Sequence, residues 1–321
     1  MLGNLVEVIA GLALLIWGAN RFVLGASATA RNLGVSSLLI GLTIVAFATS
    51  APEVLVSVFA GLRGESDLAV GNAIGSNIAN IGLVLGVVAF IRPIELKSTT
   101  LAREMPALLA VSLLTVSLFF DTYLSRADGL LLLASLVVVT FWLTRLSMRS
   151  AAQDPMRVEF EAEIPADIRM PTAIAWLIVG LAALLFGAQL LVDGSVAIAR
   201  AFGISEIVIG ITLVAIGTSL PEFAVTVVSA LKREYDIAIG NIVGSNIFNL
   251  LAVIGVAAVI EPASLHPSVL SLHIFVMVAF TLALFAITYE TRGKGRIKRI
   301  EGVVLVTSYV TYIAYIVMQN V

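Results

Sequence analysis

The sequence predicts an all-α integral membrane protein of ten transmembrane helices, arranged as two inverted five-helix repeats with broken helices at the membrane centre. Three observations predict it. Of 321 residues, 60% are hydrophobic and 12% are charged, about half the charged share of a soluble domain. Apolar stretches of about 20 residues, the length needed to span the hydrocarbon core as a helix, recur along the whole chain. A 46-residue motif occurs twice without a gap.

The predicted spans are 4–24, 36–60, 68–91, 101–120, 127–148, 172–192, 205–230, 237–260, 268–289 and 302–319. The first is read as a helix rather than a signal peptide, because Met1 to Val8 contains Glu7 and no Lys or Arg, whereas signal peptides open on positive charge. Residues 1–148 form the first repeat and 172–321 the second. Between them, 149–171 is the one long polar stretch, read as a cytoplasmic linker too short to fold as a domain.

Basic residues set the orientation. The connections after odd-numbered spans carry Arg21, Arg31, Arg92, Lys97, Arg103, Arg145, Arg149, Arg157, Arg169, Lys232, Arg233, Arg292, Lys294, Arg296, Lys298 and Arg299, sixteen of the 19 Lys and Arg residues. Only Arg63, Arg126 and Arg200 fall on the other face. By the positive-inside rule both termini are extracytoplasmic, in a multi-pass protein of the cytoplasmic membrane.

The repeat pairs 41–86 with 210–255 at a constant offset of 169, and 23 of 46 positions are identical. The identities fall on Thr, Ser, Pro, Glu, Gly and Asn, which a helix facing lipid would shed. Five spans per half is an odd number, so the second copy is inverted relative to the first, as in many secondary transporters.

Glu53 and Glu222 occupy equivalent positions deep within their spans. A carboxylate there costs several kcal/mol unless it is paired, protonated or bound to an ion, and no basic residue sits at comparable depth. Cation binding is the favoured reading; a protonated Glu bonding between helices is the other. Pro52 and Pro221 precede the glutamates. A mid-helix Pro lacks its N–H and clashes with the carbonyl four residues back, which predicts that the helix opens at Ala46 to Thr49 and at Ala215 to Thr218. Thr49 and Glu53, like Thr218 and Glu222, share a helix face. In the next span Asn72, Ser76 and Asn80 recur every fourth residue, as do Asn241, Ser245 and Asn249. This stripe serves either as ligands or as interhelical hydrogen bonds. All these donors are oxygens, which suit hard cations; Ca²⁺ takes about 6–8 of them, and two carboxylates balance its charge.

Gly71, Gly75, Gly240 and Gly244 are read as close helix contacts, Asp67 and Asp236 as caps of helix N-termini. His266 and His273 are read as an interface residue and a helix surface, and Arg21 and Asp193 as snorkelling side chains. The composition excludes other classes. A net charge of −2 argues against nucleic acid. With no Cys and two His, disulfides, thiol catalysis and all-His metal sites are excluded, and no enzyme motif stands in their place.

At ATSAPE (48–53), GTSLPE (217–222), GNAIGSNIAN (71–80) and GNIVGSNIFN (240–249) the sequence resembles the cation/Ca²⁺ antiporter superfamily, and within it the prokaryotic sodium/calcium exchangers. The resemblance covers essentially the whole chain. It implies an antiporter that exchanges Ca²⁺ for Na⁺, needs no cofactor beyond its transported ions, and works in the bilayer without an obligate protein partner. It further implies four adjacent cation sites at the membrane centre. Glu53 and Glu222 would ligate Ca²⁺ with help from Thr49 and Thr218. One Na⁺ site would use Ala46, Thr49, Ser76 and Glu222, and the other Ala215, Thr218, Ser245 and Glu53. Asn80 and Asn249 would orient the centre, with Ser50 and Ser219 beside it. Spans 1 and 6 would move against the rest. Some members carry Asp at the position of Asn249, so this chain has two central acids rather than three, which argues against K⁺ co-transport. A Ca²⁺/H⁺ antiporter is the nearest rival, since buried glutamates can titrate; a channel is less consistent with inverted repeats.

Overall fold

In a membrane every backbone polar group must be satisfied within the protein, and a long apolar sequence does this most simply as a helix. The computed structural model describes residues 2–95, 101–151, 168–202, 215–265, 272–290 and 296–320. They form helices α1 (Leu2–Leu33), α2 (Ser37–Thr49), α3 (Ala51–Leu62), α4 (Ser66–Ile91), α5 (Leu101–Leu118), α6 (Arg126–Ala151) and α7 (Met170–Ala201). After these come α8 (Ala215–Thr218), α9 (Leu220–Leu231), α10 (Tyr235–Ile260), α11 (Ile274–Glu290) and α12 (Arg299–Asn320). The chain is therefore mostly helical, and it is a multi-pass membrane protein by the length and apolarity of these elements. Among the described residues six helices are long and apolar enough to cross a membrane, and the pair α2–α3, bent by 44°, makes a seventh if it is one broken span. Three more apolar helices are shorter: Glu104–Leu118, Leu220–Leu231 and Ile274–Thr288. Parts of the predicted seventh and ninth spans, His266, and residues 152–167 of the linker lie outside the described residues.

Helices α4 and α10 are the centre of the molecule, with 72% and 89% of their apolar windows buried, against 17–22% for α1, α6, α7 and α12. Around them lies one large apolar core that includes Ile74, Ile78, Ile81, Ile242, Leu250 and Leu251. Two features were not anticipated. Four two-residue strands pair the helix connections: β1 (Ile94–Glu95) with β4 (Arg296–Ile297), and β2 (Tyr123–Leu124) with β3 (Ala263–Ser264), both antiparallel. The pairing satisfies backbone groups that the helix ends leave over. Helices α1 and α7 are also longer than the apolar stretches that predict them, because the helical backbone runs on beyond the hydrocarbon-length window.

Backbone contact joins α1 to α7. Gly11, Gly18 and Gly25 recur every seventh residue on α1, and Gly180, Gly187 and Gly194 do so on α7. A Cβ added to Gly18 would stand 2.7 Å from the Leu184 nitrogen and 2.9 Å from the Gly180 carbonyl oxygen. One added to Gly187 would stand 2.7 Å from the Leu15 nitrogen. Helices packed without Cβ atoms gain close van der Waals contact, the main source of association when lipid is as apolar as the side chains. Gly240 and Gly244 likewise let α10 approach α2, where added Cβ atoms would lie 2.8 Å from the Leu38 oxygen and 2.5 Å from the Leu42 oxygen. Gly71 and Gly75 have no described residue so close.

Gly18→Leu or Gly187→Leu should force the two helices apart and cost about 1–3 kcal/mol or more. Gly3→Ala, which meets nothing within 4 Å, should be neutral. Thermal unfolding followed by size-exclusion chromatography checks this, and an unshifted melting point for Gly18→Leu would refute the packing described.

Candidate cation-binding site

Proline sets the site's backbone. The helical run that starts at Ser37 ends at Thr49, and a new helix starts at Ala51 after Ser50 (φ −83°, ψ 7°). The second repeat does the same at Ser219 (φ −89°, ψ 6°). Each Pro lies in the first turn of the new helix, where a missing N–H costs little. This corrects the expected opening at Ala46 to Thr49 and Ala215 to Thr218. Those residues are helical and the chain breaks one residue later, because a second helix start at Ser50 or Ser219 accommodates the proline without unwinding the turn before it. The Ala46 carbonyl oxygen accordingly accepts the Ser50 N–H at 3.0 Å. Ala215 begins α8.

The break places Glu53 and Glu222 in the first turns of α3 and α9, where unpaired N–H groups and the helix dipole favour negative charge. Ser50–Glu53 and Ser219–Glu222 have the Ser-x-x-Glu spacing of a capping box, yet neither serine caps its own helix. The Ser50 hydroxyl instead donates to Glu222 Oε1 at 3.0 Å, crossing from one repeat to the other. Ser245 Oγ lies 3.5 Å from the same oxygen. On the other side the hydroxyls of Ser219 and Ser76 face Glu53.

Thr49 is fully buried, with Oγ1 3.0 Å from Asn241 Oδ1 and 3.5 Å from Ser245 Oγ. Asn241 Nδ2 donates to the Glu222 carbonyl at 3.3 Å, and Thr226 Oγ1 donates to it at 2.7 Å. Asn72 Nδ2 reaches the Glu53 carbonyl at 3.5 Å, the equivalent contact in the first repeat. Thr218 ends α8 and is half-buried. The two polar stripes therefore do both things the sequence left open: Asn72 and Asn241 brace the carboxylate-bearing turns, while the serines face the carboxylates.

Asn77 and Asn246, equivalent positions absent from the predicted set, orient the centre. Asn80 Nδ2 donates to Asn246 Oδ1 at 3.0 Å, and Asn249 Nδ2 donates to Asn77 Oδ1 at 3.0 Å. Asn77 Nδ2 also donates to the Asn246 carbonyl at 3.2 Å. Each amide nitrogen of Asn80 and Asn249 is thus tied across the α4–α10 contact, which leaves its Oδ1 for another partner. The only signal in the sequence was that Asn77 and Asn246 repeat within the doubled motif. Their three-residue offset from Asn80 and Asn249 keeps them outside the four-residue stripe.

The site is short of donors. Glu53 and Glu222 are each 1% exposed. Glu53 Oε1 and Oε2, Glu222 Oε2, Asn80 Oδ1, Asn249 Oδ1 and Ser219 Oγ are all buried without a hydrogen-bond partner among the described residues. Each unsatisfied buried group costs about 1–3 kcal/mol, and more when charged. The external charge acting on Glu53 is the carboxylate of Glu222, which raises that cost. Orphaned oxygens around two carboxylates fit a bound cation or protons. No group of three or more His, Cys, Asp or Glu occurs among the described residues, so hydroxyl and amide oxygens must complete any coordination shell. That donor set favours a hard cation.

The model of the family described as "Sodium/calcium exchanger protein" matches residues 4–145 and 172–318. The chain belongs to that family. The sodium/calcium exchanger MaX1 of Methanosarcina acetivorans is 32% identical over 347 residues, covering 97% of each chain. The inner membrane protein YrbG of Escherichia coli is 39% identical over 313 residues, covering 96% of this chain and 94% of its own. Among solved structures, the sodium-calcium exchanger NCX_Mj soaked with zero Na⁺ and Ca²⁺ matches with a TM-score of 0.84 and 32% identity over 98% of both chains. The protein is a transporter rather than an enzyme, and its ions are substrates.

Other expectations fare differently. Asp67 and Asp236 lie in the first turns of α4 and α10, inside the expected position, with Glu65 and Glu234 at the N-cap positions. His273 Nδ1 is 2.7 Å from the Tyr312 hydroxyl, and Gln189 Nε2 donates to both oxygens of Asp193 at 2.9 Å.

Asn246→Ala should release Asn80 and leave its amide unpaired, raising the Ca²⁺ concentration for half-maximal exchange about tenfold. Transport by the purified, folded variant measures this, and an unchanged half-saturation would show that the crossed amides do not position the site.

Proposed function

We propose that this protein is a secondary antiporter that exchanges Ca²⁺ for Na⁺ across the cytoplasmic membrane by alternating access, electrogenically and without K⁺. The cluster of unpartnered buried oxygens around Glu53 and Glu222 carries the reading. Two carboxylates neutralise one Ca²⁺. Thr49, Ser76, Ser245, Thr218 and the carbonyls of Ala46 and Ala215 would supply smaller oxygen sites for Na⁺ on either side. Asn80, Asn249, Ser50 and Ser219 complete the centre. Because both ions draw on the same carboxylates, one set must leave before the other binds, and that competition is the coupling. With Asn249 in place of a third acid, the site has no extra charge for K⁺ to balance.

The proposed architecture is ten passes in two inverted repeats. Equivalent breaks at Ser50 and Ser219 support it, as do the equivalent bonds from Asn72 to Glu53 and from Asn241 to Glu222. The strand pairs support it as well. With ten passes, the connections carrying β1 and β4 fall on one side of the membrane, and those carrying β2 and β3 on the other. The α1–α7 pair would be the moving part, since its contact with the body is a smooth apolar surface including Leu15, Ala19, Phe22, Val45 and Val225.

Sodium-loaded proteoliposomes test the exchange. External Ca²⁺ should enter in proportion to the Na⁺ gradient, faster at an inside-positive potential, since each net charge moved is worth about 2.3 kcal/mol per 100 mV. Glu53→Gln and Glu222→Gln should each abolish the flux in folded protein. Uptake driven by a pH gradient without Na⁺ would establish the proton-coupled alternative instead, and voltage-insensitive flux would reject electrogenicity.

The same reading puts both termini outside, from the sixteen basic residues on one face. A phosphatase fused after Val321 should be active and a cytoplasm-dependent fluorescent protein dark; the opposite pattern overturns the orientation.

A further inference from the structure

Away from the ion site, a cationic side chain of α1 lies over aromatic rings of α1 and α7. Arg21, within α1, lies with its guanidinium carbon 4.4 Å from the ring centre of Trp176 on α7 and 5.8 Å from that of Trp17. A guanidinium over an indole face is attracted by the ring quadrupole, and the contact uses none of its N–H donors. Among the described residues Arg21 forms no ion pair and no hydrogen bond.

Beside it is a second cation. Lys232, in the turn after α9, donates from Nζ to the Asn20 carbonyl at 3.0 Å. Partial burial pushes the Lys232 ammonium below its usual range; Glu234 opposes that shift, and the positive charge of Arg21 adds to it. Two like charges therefore act on each other here, with the Glu234 carboxylate opposing them. The contact also fixes the level of the pair. Lys232 belongs to an interhelical turn, so Asn20 and Arg21 stand at the membrane surface. Trp17 is 42% exposed on the outer face of α1, and tryptophans at such positions mark the headgroup layer.

We infer that Arg21, Lys232, Trp17 and Trp176 form a binding site for the phosphate of an anionic phospholipid. The guanidinium and ammonium would bind the phosphodiester while the two indoles cover the glycerol and upper acyl chain. Basic pockets between transmembrane helices recognise anionic headgroups in this way, and charge complementarity selects this occupant over zwitterionic lipid. The site joins α1 and α7 to the α9–α10 turn. A lipid bound there would tie the pair proposed to move to the body it moves against. Its place in the cytoplasmic leaflet rests on the orientation proposed above; the site itself does not.

Tryptophan quenching tests it. With Trp142 replaced by Phe, emission comes only from Trp17 and Trp176, the other two of three tryptophans. The protein is placed in phosphatidylcholine nanodiscs containing equal fractions of brominated phosphatidylglycerol or brominated phosphatidylcholine. The brominated phosphatidylglycerol should quench more strongly. Arg21→Gln and Lys232→Gln should each lower that preference roughly fivefold, as expected from one cation near an anionic surface. Together they should abolish it, and the charge-retaining Arg21→Lys should keep most of it. Equal quenching by the two lipids in the parent protein, or a preference that survives the double substitution, overturns the inference. Displacement of phosphatidylglycerol by inorganic phosphate would also overturn it, by revealing a soluble-anion site. Sodium-driven Ca²⁺ uptake in pure phosphatidylcholine, equal in parent and variants, shows that the variants are folded. Absence of that uptake in the parent would count against the proposed exchange and leave the quenching result intact.

Discussion

Two buried carboxylates with no cationic side chain between them constrain the rest of this structure. Glu53 and Glu222 approach each other at the junction of the two repeats, each 1% exposed. Their mutual repulsion and loss of hydration would oppose folding of an empty, fully charged site. The protein moderates this with what backbone geometry offers. Each glutamate sits in the first turn of a helix created by a proline break, so helix dipoles and spare N–H groups partly offset the charge. Hydroxyls add to this, and one of them, that of Ser50, comes from the opposite repeat. Enough acceptor oxygen remains unpartnered among the described residues to receive a cation or protons.

That requirement explains the small, polar character of the helices around it. Groups at the centre of a bilayer must be satisfied by neighbouring helices, and short side chains allow those helices to come close. Helix α10 meets α2 through Gly240 and Gly244, bringing Asn241 and Ser245 to Thr49 and Glu222. The contact between α4 and α10 is made by crossed asparagine amides. At Asn80 and at Asn249 the helix also widens into a π-helical turn, Asn80–Leu85 and Asn249–Val253. Such turns are frequent at functional sites, and here each begins at an asparagine whose side-chain oxygen is buried without a hydrogen-bond partner among the described residues.

Helices α1 and α7 are built differently. They are fastened to each other by backbone contact at a ladder of glycines, whereas α1 meets the body through aliphatic and alanine side chains. One polar tie from α1 to the body is the Lys232 bond to Asn20. Close-packed glycines hold one register, while a smooth apolar surface offers many of similar energy. The proposed movement of the α1–α7 pair against the body draws on that contrast, while β1–β4 and β2–β3 join connections outside the pair.

Much of this was legible in the sequence. Composition and apolar periodicity gave a mostly helical membrane protein, since a chain with 12% charged residues cannot present its surface to water. The doubled motif located the carboxylates, because Glu beside Pro within an apolar span is expensive unless used. Local rules could not place the break, since a proline is compatible with an unwound turn before it or a fresh helix start. The structure has the latter, with the break at Ser50 and at Ser219. Nor could spacing reveal Asn77 and Asn246, whose partners are 166 to 172 residues away in sequence. A helical stripe shows which residues share a face of one helix, not which amide of another helix will meet them. Arg21 reads as a snorkelling cation in the sequence, and the fold alone puts Trp176 under it and Lys232 beside it. The sequence determined which groups the membrane would make costly, and the tertiary structure decided how they satisfy one another, because those partners come together only when the two repeats pack.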